Sequence, residues 1–359
     1  MNITYLIGNG FDLNLGMKTR FSDFYKYYLT LESSEDVIKT FKSELKENLE
    51  NWSDLEVALG EYAEKFTKRS ENDFITLLDD IQDALADYID MQDVDFSISD
   101  NDRNKFHNDL MTPEHYLSLR EQEEFSEFKK HISASHFVAN VIMFNYTRSF
   151  ERLSGWSNAE LNIGSRVISS TRFNNTIKSV EHIHGTTSAD MILGVNDPSQ
   201  IHNDELSKSI ATIRAMVKTE INVNAGTLRD RRCDSFIANA DLICIFGMSL
   251  GITDKHWWEV VVKRLLTSNA RLIIFSRANQ INPRRSYRAR NVKDEIISNL
   301  LSHIKLSDSE RTKVEKQIFV CVNSNMFSVK AIPPVQENLA TTAAALSESA
   351  TKSIKIKVG

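Results

Sequence analysis

The strongest constraint lies in the second half of the chain. There, short and wholly apolar runs alternate with helical stretches of ten or more residues: DLICIFG, ARLIIFS and KQIFVCV, separated by patterns at 255–267 and near 287–304 and preceded by one at 228–239. Strands that are apolar along their whole length bury both faces, and helix-length crossovers join parallel neighbours. The N-terminus supplies a matching element, NITYLIG, ending at Gly8. HFVANVIMFNYT is a further buried run that stops at polar Asn145, and KSVEHIHG and ADMILGVND predict two more. Strands are therefore expected near 3–8, 138–144, 180–184, 190–194, 241–246, 271–275 and 317–322. The fold class is α/β with a parallel sheet.

Between the first two strands the period changes. Phe21, Phe24, Tyr25 and Tyr28 share one helical face, as do Leu55, Leu59, Tyr62 and Phe66, and Leu78, Ile81, Leu85 and Ile89. Residues 20–135 are thus expected to form a large helical insertion in a domain spanning 1–330. Within it, the polar stretch DMQDVDFSISDNDRNKF reads as an outer loop, followed by a helix over roughly 113–133. Residues 199–226 read as helical. The Thr/Ala/Ser-rich stretch 331–359 reads as a C-terminal tail, or as an extension whose IKIKV adds an edge strand. Only 12 glycines and 5 prolines in 359 residues favour long helices over tight hairpins.

Charge and cysteine usage exclude several classes. Lys plus Arg number 43 against 49 Asp plus Glu, a net −6, which disfavours a nucleic-acid partner and a polybasic membrane anchor. Cys233, Cys244 and Cys321 have neither disulfide nor zinc spacing, and read as reduced core thiols. No apolar run reaches the roughly 18 residues of a membrane span, and the N-terminus reads as a strand rather than a signal peptide. A cytoplasmic protein is expected. One basic segment stands out: Arg277, Arg284, Arg285, Arg288, Arg290 and Lys293 around Tyr287. A solvated face is the plain reading, with nucleotide-phosphate contact and a tether to RNA or DNA as alternatives. Of the adjacent Trp257 and Trp258, one is expected in the core and the other in a groove or an oligomer contact.

Four strand ends carry polar or glycine-rich groups. Gly8-Asn9-Gly10 permits close backbone approach and a phosphate at the following helix, with Asp12 placed to start that helix or meet a ligand hydroxyl. Its spacing is not G-x-G-x-x-G and it lacks a P-loop lysine, so a plain turn is the alternative. Asn145 stands at the carboxyl edge of the sheet, where open α/β sheets bind ligands. His182 and His184, two apart, are expected on one strand face; either is structural, or His184 is a general base. No Cys/His cluster accompanies them, so no metal is expected. Gly247 and Ser249 end another strand, and Asp254 is expected to cap the next helix. Gly247, Ser249 and Gly251 formally match a nucleophile elbow, but His256 and His303 are poorly placed to complete a triad.

In order, GNGFD, FNYT, HIHG and FGMSLGITD resemble the AbiH family of bacterial phage abortive-infection proteins, from residue 2 to about 325. GNGFDLNLGMKTRFSDF and the Trp52–Glu56 stretch WSDLE carry the resemblance most closely. More distantly, the order is similar to the sirtuin-like (DHS-like) NAD-binding fold, a Rossmann-like parallel sheet with a helical insertion. That resemblance implies NAD, or a related nucleotide, across the strand ends. It implies Gly8 and Gly10 as the pyrophosphate turn, with Asn9 in place of a small residue, and Asn145 near the nicotinamide ribose. It further implies His184 as catalytic base, with Gly247, Ser249 and the following Asp254 on the adenosine side. Cleavage to nicotinamide and ADP-ribose would use Asp12 or Glu56 to stabilise the developing cation. The four-cysteine zinc module of ordinary sirtuin deacylases is missing. The implied role is antiphage defence at the host cell's expense. A nucleotide-binding sensor or interaction protein and a nuclease-like effector are the alternatives, while a phage-derived trigger and homo-oligomerisation stay open as partners.

Overall fold

A computed structural model describes residues 1–329 apart from 94–97, 131, 133 and 279–283. Among the described residues, seven strands form one sheet: β1 Asn2–Ile7, β2 Phe137–Met143, β3 Leu161–Ile168, β4 Thr171–His182, β5 Leu242–Phe246, β6 Arg271–Ser276 and β7 Ile318–Val322, ordered β3-β4-β2-β1-β5-β6-β7. All neighbours pair in parallel except β3 and β4, which are antiparallel. The expectation of a purely parallel sheet is therefore corrected to a mixed one. β1 lies between β2 and β5, so the chain proceeds outward from it in both directions. That is a topological switch point.

Period-two alternation in β1 sends Ile3, Tyr5 and Ile7 to one face and Leu6 to the other, each into its own core. The first core is closed by Phe106 and Leu110 of the helix Asp100–Met111 and by Phe125 and Phe327. The second is closed by helices Arg229–Ala238 and Lys255–Thr267, through Cys233, Ile237, Trp258, Val261 and Leu265. Helices thus cover both faces, and the α/β class stands. A third core joins the helices between β1 and β2 to the segment 191–217, through Phe24, Leu59, Leu78, Leu193 and Met216.

Several expected elements differ. No strand forms at 190–194: Met191, Ile192 and Leu193 are buried in irregular backbone, and the flanking Ala189 and Val195 make isolated bridges, to Thr186 and Val217. Part of the expected outer loop is the helix Asp100–Met111, whose Ser99 hydroxyl accepts from the Asp102 amide and starts it. The helix foreseen over 113–133 is a 3₁₀ turn, Pro113–Tyr116, then Leu119–Lys130. The stretch 199–226 resolves into 3₁₀ turns and two short helices, Ile210–Met216 and Lys218–Asn224. Trp257 and Trp258 are both buried, so neither is left for an oligomer surface. All three cysteines are buried and unpaired. The expected tail or edge strand at 331–359 lies outside the described residues. Among those residues, no helix is long and apolar enough to cross a membrane.

Candidate functional site

The carboxyl ends of β4, β2, β1, β5 and β6 open into one cleft of about 1200 Å³, roofed on one side by helix Leu55–Tyr62. Gly8, Asn9, Gly10, Asp12, Asn145, His184, Gly247, Ser249 and Asp254 all line it. Five strands far apart in sequence converge there because parallel strands present all their carboxyl ends to one edge.

The glycine turn is built by contact with another turn. The Gly8 amide donates to the Phe246 carbonyl at 2.9 Å, and the Gly10 amide to the Gly247 carbonyl at 2.8 Å. A Cβ on Gly10 would stand 2.4 Å from the Gly247 Cα, and Gly247 holds φ +67°. These glycines are required by the crossing of two backbones. The Phe11 amide is likewise engaged, by the Gly8 carbonyl. Asn9 is exposed and ties its amide to the Thr19 carbonyl at 2.7 Å while accepting from the Thr19 hydroxyl, which fixes the loop below the helix Phe21–Tyr28.

Behind this turn Asp12 is buried, 1% exposed. Its carboxylate accepts from the Thr147 hydroxyl at 2.8 Å and the Ser149 hydroxyl at 2.5 Å, both from the segment after β2. Burial raises its pKa to about 6 against the pull of those hydrogen bonds. Beside it, Asn145 is 4% exposed; its carboxamide lies against Asp12 and helps to hold that carboxyl's pKa down, but makes no hydrogen bond of ordinary geometry to the described residues. Its main-chain carbonyl faces His182 Nδ1 at 3.0 Å, and His182 Nε2 faces Glu151 at 2.8 Å.

The two histidines do not share a face. β4 ends at His182, whereas His184 lies in the turn beyond it and points to the opposite wall. Its Nε2 is 3.6 Å from Asp254, and its ring packs edge-on against Phe144. Burial and the Lys218 charge lower its pKa to about 3 despite Asp254, so the ring is neutral. Asp254 occupies the N-cap position of helix Lys255–Thr267, but its side chain makes no capping bond. It accepts instead from Lys218 Nζ at 3.0 Å. Lys218 also donates to Glu56 at 2.8 Å and to the Thr253 carbonyl at 3.3 Å, and Glu56 accepts from the Gly194 amide. The Lys218 ammonium keeps Asp254 below the ordinary range, while burial and Asp254 push Glu56 up.

Lys218, Thr147 and Ser149 were not foreseen as site residues. Lys218 sits in KTEINVN, where nothing local marks a lysine as buried; Thr147 follows a strand end, where a hydroxyl suits a helix cap as well as a site. Of the basic segment, Arg277 lines the cleft, whereas Arg290 pairs with Asp294 and Lys293 with Glu121 outside it. No group of three or more His, Cys, Asp or Glu placed to hold a metal occurs among the described residues.

The fold and cleft define an α/β protein with a polar pocket at the switch point of its sheet. The chain belongs to the family described as bacteriophage abortive infection AbiH, which it matches over residues 4–276. Membership supports a role in abortive infection. Comparison with curated proteins gives no match.

Proposed function

We propose that the cleft binds a nucleotide, most simply NAD, and hydrolyses its nicotinamide–ribose bond as the effector step of abortive infection in the bacterial cytoplasm. The observation carrying this reading is the Asn145 carboxamide, buried in the cleft beside Asp12 with no hydrogen bond of ordinary geometry to the described residues. An unpaired buried amide costs about 1–3 kcal/mol for each group, a cost that a ligand hydroxyl or water offsets. In this reading the fold is Rossmann-like and sirtuin-like, with 1–330 as one unit and 20–135 inserted.

Glycosidic cleavage sends the bonding electron pair to the nicotinamide nitrogen and leaves oxocarbenium character on the ribose carbon. Water then adds there and loses a proton. Asp12, with a pKa near working pH, suits that proton and the developing positive charge better than His184 does. His184 serves as a neutral hydrogen-bonding group, and Asn145 holds ribose or water. The glycine-turn amides of Gly8 and Gly10 are engaged within the protein, so Arg20, Arg277 and Ser249 are left to face the phosphates and adenosine. A second reading, a sensor that binds without turnover, draws support from the low basicity of His184.

Chromatography of NAD incubations tests the choice. The wild-type protein is expected to release nicotinamide, Asp12→Asn to lose about 10²–10⁴ in rate, and His184→Ala to lose less. Tight NAD binding without release selects the sensor. Degradation of nucleic acid alone, dependent on Arg284–Arg290, selects a nuclease-like effector.

A further inference from the structure

The segment Asn145–Ser149, between β2 and the helix Ser149–Ser154, carries three side chains of the site: Asn145, and the Thr147 and Ser149 hydroxyls on Asp12. Its entry is fixed where the Phe144 amide donates to the Ile7 carbonyl at 2.8 Å, and the Tyr146 phenol donates to the Ile192 carbonyl at 2.8 Å. The Asn145 carbonyl is held from elsewhere. β2 and β4 pair with Met143 opposite His182, which sets the His182 ring beside the chain leaving β2. There Nδ1 meets the Asn145 main-chain carbonyl at 3.0 Å and Nε2 meets Glu151 at 2.8 Å. Neither His182 nor Glu151 lines the cleft.

A main-chain carbonyl can only accept, so His182 Nδ1 must carry a proton and donate it. Glu151, in the first turn of the following helix and largely buried, holds the ring in the orientation that aims this proton. The Asn145 carboxamide makes no hydrogen bond of ordinary geometry to the described residues. Its direction therefore follows from its main chain, because the rotamers open to a side chain depend on φ and ψ.

We infer that His182 is a positioning residue: its Nδ1 proton fixes the Asn145 main chain and so aims the carboxamide into the cleft, with Glu151 orienting the ring. This deepens the nucleotide reading above and, for the effect on binding, rests on it. Side-chain length separates the two contacts. An asparagine amide nitrogen stands one bond from Cγ, as Nδ1 does, so His182→Asn keeps the donor to Asn145 and loses Glu151. A glutamine amide nitrogen stands one bond further out, as Nε2 does, so His182→Gln keeps Glu151 and loses Asn145. His182→Leu loses both.

The full chain is isotope-labelled at asparagine for NMR, and the Asn145 side-chain amide signal is identified by its loss in Asn145→Ala. Without nucleotide, that signal is expected at its wild-type position in His182→Asn, and to move or broaden in His182→Gln and His182→Leu. NAD is then titrated by calorimetry, with a melting curve for each protein. His182→Gln and His182→Leu should bind about tenfold more weakly than wild type, and His182→Asn within about threefold of it. On an Asn145→Ala background, His182→Leu should weaken binding no further. Melting follows the other contact: His182→Asn strands the Glu151 carboxyl and should melt below His182→Gln. A histidine with only a structural role would make affinity follow melting temperature across the three variants, which overturns the inference. An unmoved Asn145 signal in folded His182→Gln or His182→Leu also overturns it, whatever the affinity for NAD. No NAD binding by wild type, with the signal moving as expected, overturns the nucleotide reading and leaves the positioning role standing.

Discussion

Glu56 and Lys218 are 162 positions apart in the chain and meet at 2.8 Å in a buried ion pair. Through this contact the helix Leu55–Tyr62, between β1 and β2, is fastened to the start of the helix Lys218–Asn224. Asp254 completes the fastening from the loop after β5. Lys218→Met strands two carboxylates without a counter-charge and is expected to cost about 3–5 kcal/mol, read from urea unfolding. Adding Glu56→Gln should recover part of that loss. A loss below about 1 kcal/mol, as for an exposed pair, contradicts the assignment.

Asp12 makes stability depend on pH with a defined sign. Its pKa rises from 3.8 to about 6 on folding, so the fold favours the protonated form. That contribution is fully present below the unfolded pKa and is lost as pH rises through about 6. Above it, ionised Asp12 costs roughly 3 kcal/mol. Asp12→Asn stays neutral. Its stability advantage over wild type is expected to be largest near about pH 8 and to shrink by roughly half near about pH 5. Urea midpoints at the two pH values check this, and a constant difference contradicts it.

Gly10 and Gly247 face each other across the crossing of two turns, so either alanine variant forces the backbones apart. Gly247→Ala adds the cost of a left-handed conformation, about 1 kcal/mol, and is expected to be the more destabilising of the two. Paired thermal melts read the difference. Equal melting temperatures would remove the conformational part of the account.

Strands buried on both faces were legible in sequence because they are short, apolar and bounded by helices; β1, β2, β5, β6 and β7 fall where the runs fall. β3 was not, since it is an edge strand with Ile163 as its only fully buried residue and Gly164 in its middle. The opposite error occurred at 190–194, where MIL is apolar but Leu193 packs on the helices rather than in the sheet. At the site, Asn145 and His184 were visible as polar groups where apolar runs end. Their surroundings were not: the Lys218 pairing and the Thr147 and Ser149 bonds to Asp12 depend on contacts between segments 135 or more residues apart.

The central claim is that a nucleotide completes the hydrogen bonding of Asn145. Titration calorimetry of NAD into wild type and Asn145→Ala tests it most directly, with a melting curve for each. The account predicts binding by wild type and at least roughly tenfold weaker binding by the variant. The variant's melting temperature should stay close to that of wild type, because the buried amide makes no hydrogen bond of ordinary geometry in the fold. Equal affinity in the two proteins, or no binding by wild type, contradicts the account.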